Sequence, residues 1–447
     1  MLLSQDTIAA IATPPGNGGV GIIRISGPNV TEISQKIIQK EIKPRHAIFT
    51  EFIGEDNSVI DSGICLYFPG PASYTGEDIL ELQGHGGSVV LDMLLRRIIS
   101  LGARIAKPGE FTERAFLNGK LDLAQAEAVA DLIESTTEKS VRSAQKSMQG
   151  IFSEKINLLV DELTELRIYV EAAIDFVDEE IDFLTDGVVQ NRIIKLLEKI
   201  VDIQKTAQQG RLLRDGMTLV LVGKPNAGKS SLLNALSGHD VAIVSDIPGT
   251  TRDILRERIQ LDGMPLHIID TAGLRDSENS IEKEGIRRAH LEINKADVII
   301  LLIDVREPDS IDIVDKLPSD IPMIKVYNKI DLIDLDPDIK NDQNGCSCYV
   351  SIKKGLGLEL LKKHLKDTVG YDSSADDVFL ARRRHIEAIR IGHDFVKSAL
   401  NQLNINNAGE LVAEDLRQAQ KSLGEITGTV SSDELLGRIF SSFCIGK

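Results

Sequence analysis

The sequence predicts a multidomain chain that combines an N-terminal α+β domain, an all-α helical domain and a parallel-sheet α/β domain inserted into the helical one. A length of 447 residues suffices for roughly two to four domains with hydrophobic cores of their own. The composition, 42% hydrophobic and 27% charged, is typical of globular proteins. The hydrophobic pattern changes along the chain, and each change predicts a boundary between domains.

Residues 1–118 are rich in glycine and contain short stretches with the alternating pattern of half-buried strands. These stretches read "GVGIIRISG", "SGICLYF" and "DILELQ". The segment "SVVLDMLLRRIISLG" has instead the spacing of an amphipathic helix that ends at Gly102. The mixture predicts a compact α+β domain over residues 1–118.

Two regions carry hydrophobic residues at the 3.5-residue spacing of packed helices. The first contains Phe152, Ile156, Leu159, Leu163, Leu166 and Val170, followed by Val189, Ile193, Leu196, Ile200, Ile203 and Ala207. The second contains Ile386, Ile389, Val396, Leu400 and Leu403, followed by Val412, Leu416, Ala419, Leu423 and Ile426. We expect one helical domain made of residues 119–212 and 379–447.

Residues 213–378, between the two helical regions, alternate apolar strands with helices, as parallel sheets do. The predicted strands read "MTLVLVG", "LHIID", "DVIILLID", "MIKVYNK" and "CYVSI". Because helices precede and follow this region, we expect an α/β domain inserted into the helical domain.

Charge and cysteine content narrow the classes of function. A net charge of −17 argues against indiscriminate binding to nucleic acid or anionic membranes, but not against a local basic patch such as "ARRRH" at 381–385. No apolar run reaches the roughly 18 residues that cross a bilayer, and the N-terminus lacks the basic region of a signal peptide. Four cysteines in this length do not form a disulfide framework. We expect a cytoplasmic protein without a membrane partner.

The motif "GKPNAGKS" at 223–230 matches the phosphate-binding loop G-x-x-x-x-G-K-[ST]. It follows the predicted strand "TLVLV" and opens the predicted helix "SSLLNAL", as the motif requires. Backbone N–H groups and the helix N-terminus would bind phosphates, Lys229 would reach the β- and γ-phosphates, and Ser230 would bind Mg²⁺. The residues expected at the nucleotide phosphates are Asn226, Ala227, Gly228, Lys229, Ser230 and Ser231.

Two further motifs would sense the γ-phosphate. In "DTAG" at 270–273, Asp270 would hold Mg²⁺ through water, and the N–H of Gly273 would meet the γ-phosphate. In "SDIPGTTRD" at 245–253, Thr251 is expected to bind Mg²⁺ only while the γ-phosphate is present.

The motif "NKID" at 328–331 indicates that the base is guanine. The carboxylate of Asp331 would accept hydrogen bonds from guanine N1–H and the 2-amino group, a donor pair that adenine lacks. Lys329 would pack over the base, and Asn328 belongs to the same base-binding motif. The segment "SIKKG" at 351–355 lies where a last base-contacting loop is expected. Together with the phosphate-binding loop, these motifs predict a guanine-nucleotide domain.

The group that orients the attacking water is not evident from these motifs. Ras-type GTPases carry a glutamine directly after the "DTAG"-type glycine, whereas this chain has Leu274, which cannot polarise water. Two candidates are Glu282, in the polar stretch "RDSENSIEKEG", and Asn226, beside the phosphates. Arg252 and Arg275 are further candidates for stabilising phosphate charge, although such arginines are more often solvated.

Motifs along the whole chain resemble the MnmE (TrmE) family of tRNA-modification GTPases. Many GTPases share "PNAGKSSLLN", "PGTTRD" and a hydrophobic residue after "DTAG". More specific are "ATPPGNGGVGIIRISG", "ELQGHGG", "GEFTERAFLNGKLDLAQAEAV" and the C-terminal "GEITGTVSSDELLGRIFSSFCIGK". The resemblance implies an N-terminal tetrahydrofolate-binding domain that dimerises, a helical domain and an inserted Ras-like P-loop G domain.

The same resemblance implies an activity and partners. Such proteins act with the FAD protein MnmG to form a carboxymethylaminomethyl or aminomethyl group on carbon 5 of the wobble uridine of tRNA. The one-carbon unit would come from a methylene or formyl form of tetrahydrofolate. Hydrolysis of GTP to GDP and phosphate would depend on Mg²⁺, on K⁺ and on transient dimerisation of G domains across a homodimer held by the N-terminal domains.

By this resemblance, Asn226 would be a K⁺ ligand together with Ser245, Ile247 and Thr250. The cation would stand where an arginine finger otherwise stabilises the developing phosphate charge. Glu282 would position the attacking water. The expected catalytic residues are therefore Glu282, Lys229, Thr251 and Cys444.

Arg24, Glu81, Lys120 and the terminal Lys447 match folate-binding positions of the family. A pterin presents adjacent N–H donors that the carboxylate of Glu81 could accept, whereas Arg24 and the lysines suit the anionic glutamate tail. Without the resemblance, each of these residues would be interpreted as a surface charge or a salt bridge. Cys444 is expected near the folate, where a neighbouring lysine would favour its thiolate.

Two alternative functions start from the same motifs. One is an RNA-binding GTPase of ribosome assembly. Such proteins tend to add a basic module with a G-x-x-G loop, whereas "GEITG" has a different spacing. The other is a folate enzyme whose G domain is only a sensor. Folate binding separates the tRNA-modifying GTPase from the first alternative, and normal modification by a hydrolysis-deficient Glu282→Ala variant would favour the second.

Overall fold

The computed structural model describes residues 6–175, 187–237, 256–270, 296–307, 318, 321–342, 345–375, 377–406, 408–429 and 432–446. The chain divides into two compact units. The first unit contains Met1–Ala130, Met148–Glu180 and Ala408–Lys447, and the second contains Asp131–Ser147 and Ile181–Asn407. Within the described residues, no helix is long and apolar enough to cross a bilayer.

The N-terminal part of the first unit is a mixed sheet covered by two helices. Its elements are β1 (Ile8–Ile11), β2 (Gly18–Ser26), α1 (Val30–Ile38), β3 (Ile48–Ile53), β4 (Val59–Phe68), β5 (Ile79–Gly86), α2 (Ser88–Ser100) and β6 (Arg104–Ile105). The described strands lie in the order β3-β4-β5-β2-β1-β6, and β1 and β6 are parallel while the other neighbours are antiparallel. Residues of α1 and α2, such as Ile33 and Leu94, share one buried core with Ile23 and Leu82 of the sheet.

The remaining part of the first unit is helical. Its helices are α3 (Glu110–Leu117), α4 (Leu123–Glu134), which continues into the second unit, α6 (Ile151–Asp175), α11 (Gly409–Thr427) and α12 (Asp433–Ser441). Helices α6 and α11 pack along each other. The sequence predicts an apolar face on each of these two helices. Every residue at the predicted spacing is buried, from Phe152 to Val170 in α6 and from Val412 to Ile426 in α11.

The second unit contains a parallel sheet with helices. Its helices are α5 (Glu138–Met148, the last residue belonging to the first unit), α7 (Val188–Asp215), α8 (Lys229–Ser237), α9 (Leu358–Val369) and α10 (Arg383–Asn406). Its strands are β7 (Met217–Gly223), β8 (Arg256–Leu261), β9 (Met264–Asp270), β10 (Val298–Asp304), β11 (Met323–Asn328), β12 (Asp338–Asp342) and β13 (Gly345–Val350). Their order in the described sheet is β12-β13-β11-β10-β7-β9-β8.

The inner strands of this sheet run parallel, and the edge strands β8 and β12 are antiparallel to their neighbours. The hydrophobic pattern of the sequence predicts the inner strands but neither edge strand. Their sequences, "RERIQL" and "DIKND", are mostly polar, because an edge strand needs no continuous apolar run.

Residues Asp131–Ser147 belong to the second unit, although the chain before and after them belongs to the first. We call these residues the strap. The sequence predicts that they belong to the helical domain over residues 119–212, and that boundary stays a prediction. Ala144 of the strap is fully buried and shares a core with Leu212 and Met217, which explains why the strap groups with the inserted sheet.

Candidate functional site

Four neighbouring strands of the second unit, β13, β11, β10 and β7, end side by side. In the sheet register, Gly223 at the end of β7 lies opposite Leu302 of β10, and Asp304 at the end of β10 lies opposite Asn328 at the end of β11. Asn328 in turn lies opposite Val350 at the end of β13. Ligands of parallel α/β sheets bind at the carboxyl ends of the strands. The fold therefore brings the phosphate-binding loop and the "NKID" motif to one edge.

The loop between β7 and α8 has the backbone of an anion-binding site. Asn226 and Gly228 have positive φ angles of 62° and 107°. Such left-handed residues turn successive N–H groups toward one point, where they can bind phosphate oxygens. A Cβ on Gly228 would lie 2.5 Å from Nδ2 of Asn328, so glycine is required there. The ammonium of Lys229 donates to the carbonyl oxygen of Gly223 at 2.8 Å, within the same loop.

The residues of this loop differ in exposure. Ala227 is buried, and Gly228 and Lys229 are half-buried. Asn226 in the loop is exposed, and so are Ser230 and Ser231 in the first turn of α8. The arrangement fits the predicted phosphate and cation roles of this loop, which stay predictions.

One buried amide joins the phosphate-binding loop to the base-binding loop. Asn328, only 4% exposed, donates from Nδ2 to the carbonyl oxygen of Ala227 at 2.8 Å. Its Oδ1 accepts from the N–H groups of Lys329 at 2.8 Å and Ile352 at 3.1 Å. The amide therefore satisfies three backbone groups, and its geometry assigns Asn328 to holding the two loops together.

The carboxylate of Asp331 is held in position by a hydrogen bond. Its Oδ1 accepts from the hydroxyl of buried Ser351 at 2.6 Å. This hydrogen bond is the largest cause that lowers the pKa of Asp331 below its usual value, and it outweighs the opposite effect of burial. The carboxylate is therefore ionised at neutral pH and can receive the two N–H donors of a guanine.

Lys329 is held at the edge of the same site. Its φ angle is 70°, and its ammonium bonds Oδ2 of Asp304 at 2.7 Å. Arg306 also bonds that carboxylate at 2.7 Å. The hydrogen bond from Arg306, followed by that from Lys329, lowers the pKa of Asp304 despite some burial. The ammonium of Lys329 is thereby held at the carboxyl ends of β10 and β11, and its packing over the base stays a prediction.

Several predicted site residues lie outside the described part of the chain. These residues are Ser245, Ile247, Thr250, Thr251, Gly273, Glu282 and Lys447. Asp270 is described by its backbone, which ends β9 opposite Leu221 of β7 and so reaches the same edge of the sheet.

A second candidate site lies on the sheet of the first unit. Arg24 on β2 lies opposite Glu81 on β5, and Nε of Arg24 bonds Oε1 of Glu81 at 2.9 Å. The guanidinium lies 5.7 Å from the ring centre of Tyr74 and 5.8 Å from that of Phe111. Arg24 and Glu81 therefore form one ion pair on this sheet. The assignment of Glu81 to the pterin and of Arg24 to the glutamate tail stays a prediction.

The loop between β4 and β5 connects this ion pair to Lys120. The ammonium of Lys120 donates to the carbonyl oxygen of Pro71 in this loop at 3.0 Å. In the same loop, Tyr74 packs against Arg24 and its hydroxyl lies 2.9 Å from that of Thr112. Arg24 and Lys120, two of the predicted folate residues, therefore both contact the loop between β4 and β5.

The C-terminal tail is packed beside the same sheet. Phe440 and Phe443 are buried, and the carbonyl oxygen of Cys444 accepts from the N–H of Gly109 at 3.3 Å. Gly446 lies so close to Ile11 of β1 that a Cβ would overlap the carbonyl oxygen of Ile11. Strand β1 pairs with β2 next to Arg24. The tail is thus fixed near the second site, with the thiol of Cys444 exposed.

Comparisons with known proteins agree over the full length of the chain. A model described as the GTP-binding protein TrmE N-terminus matches residues 7–120, and the MnmE helical domain matches residues 123–444. The tRNA modification GTPase MnmE of Hydrogenovibrio crunogenus is 54% identical over 447 residues, which cover 99% of each chain. That of Proteus mirabilis is 54% identical over 452 residues, covering 99% of this chain and all of the relative.

The chain belongs to the MnmE family of tRNA modification GTPases. The predicted family is therefore confirmed. So are the predicted fold class, with an N-terminal TrmE domain, a helical domain and a P-loop G domain, and the predicted enzyme class of a GTP hydrolase.

Solved structures of other GTPases resemble part of this MnmE-family chain. The FeoB G domain of Methanococcus jannaschii is 23% identical and covers 34% of this chain and 98% of its own, with a TM-score of 0.25. Aquifex aeolicus Era bound to GDP.AlF4⁻ is 25% identical and covers 40% of this chain and 66% of its own, with a TM-score of 0.25. The family assignment rests on the sequence relatives and not on these structures.

Two charged groups beside the MnmE-family sites were not predicted from the sequence. Asp304, which holds Lys329, could have been noticed because it ends the apolar strand "DVIILLID" beside the "NKID" strand. Arg114, with a side chain 5% exposed, binds Glu77, Glu110 and Asp6 beneath the second site. No local pattern in the sequence indicates those partners, because two of them lie far from Arg114 in the chain.

Proposed function

We propose that this chain hydrolyses GTP to GDP and phosphate in a reaction that depends on Mg²⁺ and K⁺. With an MnmG-like FAD protein, it modifies the wobble uridine of tRNA to a carboxymethylaminomethyl or aminomethyl form, using a methylene or formyl tetrahydrofolate. The proposed GTP hydrolysis is supported by one observation in particular. The side-chain amide of Asn328 joins the phosphate-binding loop to the segments that contain Asp331 and Ser351. The tRNA part is supported by the shared name of the full-length relatives.

The G domain is predicted to comprise residues 213–378. Its phosphate-binding loop and Lys229 would bind the phosphates of GTP. Ser230 and Thr251 would bind Mg²⁺ directly, and Asp270 would bind it through a water molecule. Asp331 accepts from guanine and thereby rejects adenine, because adenine lacks the pair of N–H donors that this carboxylate would accept. We assign the γ-phosphate contact to Gly273 and the positioning of the attacking water to Glu282.

Asn226 is the described residue that supports a K⁺ site. Its side chain is exposed next to the phosphate-binding backbone, and its amide oxygen is a suitable ligand for a cation of low charge density. Ser245, Ile247 and Thr250 would supply the remaining ligands. A monovalent cation there supplies positive charge close to the phosphates, as an arginine finger does in other GTPases.

The first unit would bind the folate at the Arg24–Glu81 pair. Burial of much of this pair and its contact with two aromatic rings suit a planar pterin that hydrogen-bonds Glu81. Arg24, Lys120 and the terminal Lys447 suit the anionic glutamate tail of the folate, and Cys444 lies in the packed C-terminal segment. We further propose a cytoplasmic homodimer held by the N-terminal domains, with transient dimerisation of the G domains.

A comparison of GTP turnover in K⁺ and Na⁺, with and without the flavoprotein partner, tests the GTPase part. We expect much faster turnover in K⁺, and an Asn226→Ala variant should lose that difference while still binding GDP. Equal wild-type rates in the two salts would remove Asn226 from this role.

Analysis of bulk tRNA nucleosides after removal of the gene tests the modification part. We expect the wobble modification to disappear and to return with the wild-type gene, and unchanged wobble uridines would contradict the proposal. Calorimetry with a reduced folate tests the second site separately. Wild-type binding that is lost in Arg24→Ala and Glu81→Gln supports it, whereas equal binding by all three proteins would exclude this location.

A further inference from the structure

The turn between β8 and β9 lies at the end of that hairpin farthest from the nucleotide edge. Asp262 and Gly263 form the turn with positive φ angles of 50° and 90°, the conformation that two-residue hairpin turns favour. From there β9 runs for seven residues to Asp270, about 20 Å at the usual rise of a strand. Strand β8 begins shortly after Thr251 in the sequence. The hairpin therefore connects the turn to both segments expected at the γ-phosphate.

The hydroxyl of Thr137 connects the strap to one side of this turn. Oγ1 of Thr137 accepts from the N–H of Ser140 at 3.1 Å, which caps helix α5. The same hydroxyl donates to the carbonyl oxygen of Gly263 at 2.8 Å. Thr137 and Ser140 are 5% and 2% exposed, so water does not compete freely for these bonds. The first turn of α5 and the hairpin turn are thus fixed to each other.

Lys139 strengthens this contact with its stem and its charge. A Cβ on Gly263 would lie 2.5 Å from Cδ of Lys139, so the stem covers the glycine directly. The ammonium donates to the carbonyl oxygen of Ser373 at 2.7 Å and lies 6.0 Å from the ring centre of Tyr371. Lys139 therefore bridges the hairpin turn and the chain that follows α9.

The chain around α9 holds the other side of the turn. Lys366 bonds the carboxylate of Asp262 at 2.6 Å, and the hydroxyl of Tyr371 donates to the carbonyl oxygen of Asp262 at 3.1 Å. Hairpin turns are usually solvated and variable in position. This turn is instead bound from two sides, by the strap and by the chain around α9.

The strap is itself anchored at both ends. Asp131 accepts from Arg214, just before β7, at 2.8 Å and from Arg382, just before α10, at 2.7 Å. At the other end, the hydroxyl of Ser147 accepts from the N–H of Leu380 at 2.8 Å. Anchors at both ends make the strap a fixed support against which the hairpin turn is held.

We propose that the strap positions the β8–β9 hairpin for GTP hydrolysis. The phosphates and the base are bound by the loop at Lys229 and by Asp331, which lie on other strands. Loosening the strap therefore lowers kcat for GTP and leaves the affinity for guanine nucleotide nearly unchanged. Thr137 and Lys366 are positioning residues, since they act through the hairpin and do not touch the nucleotide. The inference rests on the GTP hydrolysis of the proposed function and adds a route by which helix α5 controls it.

The test uses the full chain with MgGTP in K⁺. Thr137→Val keeps the shape of the side chain and removes the donor to Gly263. We expect kcat to fall about three- to tenfold, the effect of one lost hydrogen bond, with the Kd for GDP within about twofold of wild type. Thr137→Ser keeps the hydroxyl and should restore kcat. Arg142→Ala is the matched control, because Arg142 lies on the exposed face of α5 and pairs with Glu138 of the same helix.

Lys366→Met gives a second, independent disruption from the opposite side of the turn, with melting temperature and GDP binding as checks on folding. Wild-type kcat in both Thr137→Val and Lys366→Met would overturn the proposal. So would a loss of GDP affinity that parallels the loss of kcat, or a Thr137→Ser variant as slow as Thr137→Val. Absent turnover in the wild-type chain would overturn the proposed GTPase function as well, whereas normal wild-type turnover with unaffected variants would overturn the role of the strap alone.

Discussion

Replacement of Asn328 by alanine is expected to separate the phosphate-binding loop from the base-binding loop. The wild-type amide makes three hydrogen bonds of 2.8, 2.8 and 3.1 Å to the backbone of Ala227, Lys329 and Ile352. At about 1 kcal/mol for each bond, their loss lowers the free energy of unfolding by about 3 kcal/mol. Water cannot compensate fully, because Ala227 and Ile352 are 3% and 8% exposed.

Urea denaturation measures this loss, and far-UV circular dichroism is the suitable probe because the chain contains no tryptophan. Titration with a fluorescent GDP analogue measures the second consequence, an affinity lowered by roughly tenfold or more as both loops lose their shared support. Asn404→Ala is the control, since Asn404 is exposed on α10 and its loss should cost less than about 0.5 kcal/mol. If Asn328→Ala lost less than about 1 kcal/mol and bound GDP like the wild type, the proposed bridging role would be wrong.

Four further predictions concern the base, the buried charges and the tail. Asp331→Asn should weaken GTP binding at least about a hundredfold and favour xanthosine triphosphate, whose 2-carbonyl can accept from the new amide; nucleotide competition measures both effects. Burial raises the pKa of Glu110, but hydrogen bonds from Arg104, from the Lys107 backbone and from Arg114 outweigh burial and lower the pKa below its usual value. Its contribution to stability is therefore complete above about pH 5 and lost as the pH falls through the lowered pKa, so the wild-type melting temperature should decline below pH 4.5 more steeply than that of Glu110→Gln. Arg114→Met leaves three carboxylates without their buried partner and should cost about 3–5 kcal/mol in urea denaturation, and retention of wild-type stability would contradict the network. Cys444→Ser should keep GTP turnover and lose tRNA modification in a nucleoside assay, whereas full modification would remove the thiol from the chemistry.

Much of the fold was predictable because burial repeats at regular intervals. The spacing from Phe152 to Val170 follows one face of a helix, and every residue at that spacing is buried in α6. Helix α2 ends at Ser100, close to the predicted end at Gly102, where a φ angle of 102° favours glycine. Strands β8 and β12 were not predictable in this way, because polar edge strands are defined by their partners.

The sequence by itself determined the family, the P-loop G domain and guanine as the expected base. The short motifs "GKPNAGKS", "DTAG" and "NKID" carry that information because each depends on groups that are neighbours in the chain. The same holds for the specific motifs at the two ends, which extend the resemblance over the full length.

Only the tertiary structure decided how distant residues are combined. The contact of Asn328 with Ala227 spans 101 residues, that of Arg24 with Glu81 spans 57, and that of Thr137 with Gly263 spans 126. Strand register and helix packing bring these groups within hydrogen-bonding distance, and neither property is encoded in a local motif. For this reason the support of the nucleotide loops, the pairing of Arg24 with Glu81 and the hold of the strap on the β8–β9 turn became evident from the fold and not from the sequence.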